Sequence, residues 1–347
     1  MAETRQTKKE FEHINMDGLE VTVCRMIGRR RSQEDAHTEV TLPSGIKMFG
    51  VFDGHGSELV SNYVSKNIGR ICRDLQPNFV EEDIVNIFKQ MEKELLIESA
   101  INLEEGDINK NRDEEKQRGS VLPLDCDILD CSNRKTFTYK NLGSSLRCYM
   151  LEKRRDYPDV DMNILTRNII CSGSGSTAII GFIDGIRLVV ASLGDSQGIM
   201  GKEIEEQYRG VDLQRRLHQA SNQEEHDRVV EAGGHISMGQ GEIPRVGGDL
   251  MITRSFGDFN HKQVNREKSI YAQPITAIPE ITEYQFTEED KFIFLGSDGI
   301  FDVKSSDEVV NTIGPNLLEE NKGLDTLFDE CYDSGSKDNM TGIVIKL

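Results

Sequence analysis

Apolar and polar positions along this chain switch between two periods, and the switches mark the elements. Lys47–Phe52, 186–193 and Lys291–Gly296 are apolar runs of strand length. Each runs into an Asp-bearing turn: Asp53-Gly54-His55-Gly56, Gly194-Asp195-Ser196 and Ser297-Asp298-Gly299. A fourth turn, Asp338-Asn339, opens the last apolar run, 340–347. Asp, Asn and Gly tolerate the backbone angles that tight turns need. Strands at 176–183, 186–193 and 197–203, joined through Asp184-Gly185 and Gly194-Asp195, predict an antiparallel meander. Helical spacing replaces strand spacing at 57–74, where Leu59, Val60, Val64, Ile68 and Ile71 share a face. It recurs from 81 to about 100, with Ile84, Phe88, Met91 and Leu95 on one stripe. Ser221 and Ser305 open capping-box signatures, and a last helix is predicted over 324–332. Hairpin-linked strand groups with helices between them predict the α+β class rather than a parallel doubly wound sheet.

Composition narrows the function classes. The 347 residues carry 60 acidic and 41 basic side chains, a net charge of −19. A protein that coats nucleic acid needs a basic face, so none is expected as a partner. No apolar run approaches the roughly 20 residues that span a bilayer. The start is polar, with no signal peptide, and Ala2 stands where myristoylation needs Gly. The seven cysteines include no C-x-x-C pair and read as reduced thiols. The expectation is an intracellular protein, cytoplasmic or nuclear, monomeric, with residues 1–18 as an extension and 19–347 as one domain. An insertion is expected at about 102–168. Within it, 104–120 is nearly devoid of apolar side chains and is expected to be exposed or disordered. Deleting about 105–119 should therefore leave soluble protein with its activity on small substrates unchanged; insoluble protein would show the segment to be structural.

The turn carboxylates carry the candidate chemistry. Magnesium and manganese ions prefer carboxylate, carbonyl and water oxygens. Several carboxylates converging at strand ends would repel unless such cations neutralised them. Two cations about 3.5–4 Å apart can share a water and lower its pKa, and an arginine nearby can grip a phosphate. Asp53, Asp298, Asp338, the pair Glu34-Asp35 and the run Arg29-Arg30-Arg31 thus point to a two-metal phosphoester hydrolase.

The ordered motifs then resemble one family. Arg30…Glu34-Asp35-Ala36-His37, Val51-Phe52-Asp53-Gly54-His55-Gly56, Ser174-Gly175-Ser176-Thr177-Ala178 and Leu193-Gly194-Asp195-Ser196 look like metal-dependent protein phosphatases of the 2C family. Glu231-Ala232-Gly233-Gly234, 253–258 (Thr-Arg-Ser-Phe-Gly-Asp), 295–303 and 336–341 continue the match in family order. The resemblance implies a sandwich of two antiparallel sheets flanked by helices, in α-β-β-α layers. It implies that Asp53 bridges two Mg²⁺ or Mn²⁺ ions, that Asp298 and Asp338 complete the first, and that Glu34 and the Gly54 carbonyl serve the second. Asp195 and Asp302, with Asp298, match a weaker third site. Asp35 would hold water, Arg30 would bind phosphate, and His55 would protonate the leaving alkoxide of phosphoserine or phosphothreonine in phosphorylated protein substrates. No phosphoenzyme would form. Departures from the family pattern are Gln197 for a common Arg, Leu217-His218-Gln219 for Asp-His-Lys, and Phe301 for a common Trp.

Two rival readings stand beside this one. A pseudophosphatase would use the fold only as a binding platform. A cysteine phosphatase would use Cys24 and Arg30, which have the C-x₅-R spacing, as do Cys148 and Arg154. That chemistry needs a depressed thiol pKa, whereas Cys24 ends the alternating run 19–23.

Overall fold

The computed structural model describes residues 6–95, 126–131, 134–139, 173–239, 242–262 and 268–347. Strands β1 (Gln6–Met16) and β2 (Leu19–Gly28) pair around Asp17-Gly18, two residues with positive φ. Strands β3 (Ala36–Thr41) and β4 (Lys47–Phe52) form a second hairpin, followed by the two-residue β5 (Gly54–His55). Helices α1 (Leu59–Ile71) and α2 (81–95) come next. Strands β6 (Cys126–Cys131) and β7 (Arg134–Tyr139) pair with each other. Then come β8 (Gly175–Ser176), β9 (Ala178–Asp184), β10 (Arg187–Leu193), β11 (Gln197–Ile204) and β12 (Gln207–Asp212). Helix α3 (Gln223–Glu231) precedes a small hairpin, β13 (Ile236–Met238) and β14 (Pro244–Val246). The chain continues through β15 (Phe256–Gly257), β16 (Glu280–Gln285) and β17 (Asp290–Gly296). It ends with helices α4 (Asp298–Phe301), α5 (Ser306–Ile313) and α6 (Lys322–Asp333), and strand β18 (Met340–Lys346).

Two antiparallel sheets dominate. One has the order β1-β2-β18-β17-β11-β12 and the other β16-β10-β9-β4-β3. Side chains alternate across each strand, and here both faces are buried. Phe49 and Val51 of β4 join Val21, Val23, Ile179, Ile293 and Ile343 between the sheets. Met48 and Phe52 of the same strand face the other way, onto Val64 and Ile68 of α1 and Phe88 of α2. Across the molecule, Phe292 and Phe294 meet Val310, Leu327 and Phe328 of α5 and α6. This is the α-β-β-α layering, and it explains why the central strands read as unbroken apolar runs.

Several boundaries differ from the sequence reading. Residues 6–16, expected in an extension, are the edge strand β1; Lys9 ties it to Asp325 and Asp329 of α6. Their polar alternation hid the strand, because an edge strand presents charge to solvent. The expected meander breaks at Gly194-Asp195: β9 and β10 pair in one sheet, but β11 lies in the other. A short turn can cross between sheets as readily as close a hairpin. The cap of α3 is Asn222, whose side chain accepts the Glu224 and Glu225 amides, rather than Ser221. The Ser305 capping box forms as expected. Residues 104–120, and most of the insertion, lie outside the described residues; β6 and β7 lie inside it.

Candidate active site

The Asp-bearing turns are held by hydrogen bonds that run between them. The Asp53 amide donates to Thr177 Oγ1 at 3.1 Å, and the Thr177 amide donates to the Asp53 carbonyl at 2.9 Å. Thr177 Oγ1 lies 2.7 Å from Ser196 Oγ, beside Asp195. Asp298 opens α4 behind its N-cap, Ser297. Ser297 Oγ donates to Asp35 Oδ2 at 2.9 Å and accepts the Thr341 amide at 3.0 Å, joining the β17 end to the β18 start. The Asn339 side chain accepts the Glu34 amide at 2.8 Å and donates to the Ile27 and Ser32 carbonyls. Gly54 is required where it stands: a Cβ there would overlap the Glu34 carbonyl and Ser61 Oγ.

The carboxylates feel one another through a buried interior. Burial, then Asp298, Asp35, Asp338 and Asp195, holds Asp53 well above the usual carboxylate range. Burial does the same to Asp298, with Asp195, Asp338 and Asp302 adding to it and a hydrogen bond to Asp53 opposing. Asp35 is raised to about 7, mainly by burial, against hydrogen bonds from Thr341 and Ser297. Burial also raises Asp195 and Asp302. Asp298 Oδ1 is buried without a hydrogen-bond partner. Unpaired buried carboxylates are costly, and a hard cation is the counter-charge these donors suit. Among the described residues, no three His, Cys, Asp or Glu side chains stand closed around a cation as they are. The fit rests on donor chemistry and on the orphaned oxygen. Arg30 is the nearby cation: it ion-pairs with Asp338, and its Nε donates to the Lys337 carbonyl at 3.3 Å.

His55 sits on β5 with 28% of its side chain exposed. Its Nε2 lies 2.8 Å from Asp258 Oδ2. Burial alone would lower its pKa, but Asp258, with help from Asp195 and Glu34, raises it. A raised value keeps the imidazole protonated closer to neutral pH. The site therefore gathers cation-seeking carboxylates, a guanidinium and an imidazolium-forming pair at one end of the sandwich.

The protein phosphatase 2C family model matches residues 133–340. The chain belongs to the protein phosphatase 2C family. Protein phosphatase 2C homolog 3 of Schizosaccharomyces pombe is 26% identical over 93% of this chain and 63% of its own length. Protein phosphatase 1B of Homo sapiens is 27% identical over 98% of this chain and 60% of its own length. The chain thus spans under two thirds of the length of these curated relatives. The crystal structure of serine-threonine phosphatase 2C from Toxoplasma gondii aligns with a TM-score of 0.65 at 16% identity, covering 98% of this chain and 99% of that one. That likeness shows the fold.

The phosphatase 2C motifs account for most of the site, but not all of it. Asp258 closes the 253–258 motif, yet motif reading gave it no role. Nothing local signals that it reaches a histidine 203 positions away. Gln219, one of the departures, donates to Asp195 Oδ2 at 2.8 Å. Phe301 packs on Phe294 with ring centroids 6.0 Å apart, filling space beneath α4. Gln197 lies 3.5 Å from the Gln214 amide nitrogen, away from the carboxylates' contacts described above. Cys24 is fully buried, and burial pushes its thiol far above its ordinary value. That is opposite to what a cysteine nucleophile needs. Cys148 lies outside the described residues.

Proposed function

We propose that this chain is the catalytic domain of a protein serine/threonine phosphatase that hydrolyses phosphoserine and phosphothreonine by direct attack of water. The observation that carries the reading is a gathering of carboxylates, with Asp35 and Asp195 buried, Asp53, Asp298 and Asp338 partly buried, and the other four all acting on Asp53, beside Arg30 and the His55–Asp258 pair. Asp53, Asp298 and Asp338 would hold one Mg²⁺ or Mn²⁺ ion. Asp53, Glu34 and the Gly54 carbonyl would hold a second, with Asp195, Asp302 and Asp298 offering a weaker third site. Bound there, the cations supply Lewis acidity toward water and phosphate oxygens.

The chain's own groups do the rest. Arg30 is about half exposed, so its guanidinium can turn from Asp338 to a phosphate and grip two oxygens at once. Asp35, fixed by Ser297 Oγ, can accept a hydrogen bond from water and orient it. His55 can give a proton to the departing serine or threonine oxygen, a strongly basic leaving group. No observation favours the non-catalytic platform. The reduced, buried Cys24, Cys72 and Cys331 support an intracellular setting. Among the described residues, no helix is long and apolar enough to cross a membrane.

The deciding experiment is hydrolysis of a phosphothreonine peptide after chelation, with and without restored Mn²⁺ or Mg²⁺. Activity should vanish with chelator, return with either cation and survive thiol alkylation. Activity that persists after chelation but dies on alkylation would overturn the reading.

A further inference from the structure

The contact between His55 and Asp258 is built with more apparatus than a surface ion pair needs. The Asp258 side chain is 2% exposed and its backbone is left-handed, with φ +48°. Its Oδ2 accepts from Ser255 Oγ at 2.5 Å as well as facing His55, and its amide donates to the Ser174 carbonyl at 3.0 Å. Gly175 lies beneath the pair, where a Cβ would overlap both Asp258 Oδ2 and His55 Nε2. A buried clamp lies behind. Glu92 of α2 accepts the Gly257 amide at 3.1 Å and pairs with Lys262, both side chains being 1% exposed. Lys262 Nζ also donates to the Ser255 carbonyl at 2.7 Å. One turn earlier on α2, Phe88 stacks on Phe256 with centroids 5.1 Å apart. Residues 255–258 are thus gripped from α2 by a ring and by an ion pair.

A buried ion pair is a weak source of net stability, because desolvation offsets its attraction. Its geometric effect is stronger: Lys262 and Glu92 satisfy backbone groups on both sides of Phe256. That fixes the segment whose next residue holds His55.

We propose that Asp258 is a positioning residue for His55, which fixes the tautomer that keeps hydrogen on Nε2 and leaves Nδ1 as the proton-giving nitrogen. The inference rests on the reading of His55 as proton donor. In the step it supports, a water oxygen bonds to phosphorus as the bond from phosphorus to the serine or threonine oxygen breaks. The electron pair of that bond goes to the leaving oxygen, which takes the Nδ1 proton. His55 is left neutral with Nε2–H on Asp258. An Asn in place of such an aspartate presents an amide that can donate to the ring and select the wrong tautomer, as is known for catalytic triads.

The test combines spectroscopy with leaving-group kinetics on the full chain. In ¹⁵N-histidine NMR at a pH where the ring is neutral, wild-type His55 should be the Nε2–H tautomer; an Nδ1–H tautomer would overturn the proposal without any variant. Asp258→Asn should shift that tautomer. It should also slow phosphoserine-peptide hydrolysis about 10²–10³-fold, p-nitrophenyl phosphate by less than about threefold, and leave Mn²⁺ affinity by calorimetry unchanged. Added to His55→Gln it should cost nothing more. Glu92→Gln should give a weaker loss with the same leaving-group preference. If His55→Gln shows the preference and Asp258→Asn does not, the positioning role fails while the phosphatase reading stands. If His55→Gln itself shows none, the proton-donor reading fails.

Discussion

Asp298→Asn should nearly abolish turnover and, in chelator, melt at a higher temperature than the wild type. The first effect follows from the proposed ligand role. Even partners outside a metal's ligand set typically cost 10–100-fold in affinity or activity, so a ligand should cost more than about 10²-fold. The second follows from repulsion. Asp298 and Asp53 are held well above the ordinary carboxylate range by burial and by neighbouring carboxylates. In the unfolded chain these groups ionise near 3.8. Between that value and the native one, the folded protein binds more protons, so its stability falls as pH rises. For Asp35, the loss runs from about pH 4 to about pH 7 and is complete above that. The amide that replaces the Asp298 carboxylate would carry no charge, so the mutant should escape part of the loss at pH 8. Each kcal/mol relieved is worth about 2–4 °C in a domain of roughly 150–250 residues and somewhat less in a larger one. Scanning calorimetry in chelator at pH 5 and pH 8 checks this: the gap between mutant and wild type should widen at pH 8. Added Mn²⁺ should restore the wild type more than the mutant. A mutant that melts below the wild type at both pH values would show that Asp298 is a structural group rather than a strained one.

His55→Gln should separate two kinds of substrate. An alkyl phosphate such as phosphoserine leaves as a strongly basic alkoxide and needs a proton; p-nitrophenyl phosphate leaves as a stabilised phenolate and hardly does. General acid catalysis is typically worth about 10²–10⁴-fold. The mutant should lose that much on a phosphoserine or phosphothreonine peptide and far less on p-nitrophenyl phosphate. Calorimetric cation affinity should change little, since His55 is not among the proposed ligands. Equal losses on both substrates would leave His55 with a positioning or supporting role. The raised pKa of His55, which Asp258 sustains against burial, suits a donor that must stay protonated near neutral pH.

What the sequence disclosed and what it hid divide along a physical line. Asp53, Asp298 and Asp338 were legible because each sits where an apolar run meets a turn, and strand ends are local signals. The layering came only with the family resemblance; the apolar run from Met48 to Phe52 marked a strand, and the fold shows that both of its faces are covered. Strand β1 was not legible, since its Lys and Glu positions face solvent or reach α6. The change of sheet between β10 and β11 was not legible either, because Gly194-Asp195 would suit a hairpin equally well. The Asp258–His55 contact depends on how β15 and β5 both flank β8, a tertiary fact with no local trace. Gln219 was legible only as a departure from the family pattern; the fold sets its amide on Asp195.

Strand β18 lies between β2 and β17, in the middle of its sheet, and Asp338 sits just ahead of it. Every other described strand of both sheets precedes it along the chain. During synthesis, β2 and β17 therefore emerge without the neighbour that joins them. The sheet stays split until residues 340–346 are made. Asp338, which leads into β18, gains its fixed place only at that stage, so the first of the proposed cation sites is the last to be completed. The nascent chain's exposed strand edges also make that interval the one in which it most needs shielding from aggregation.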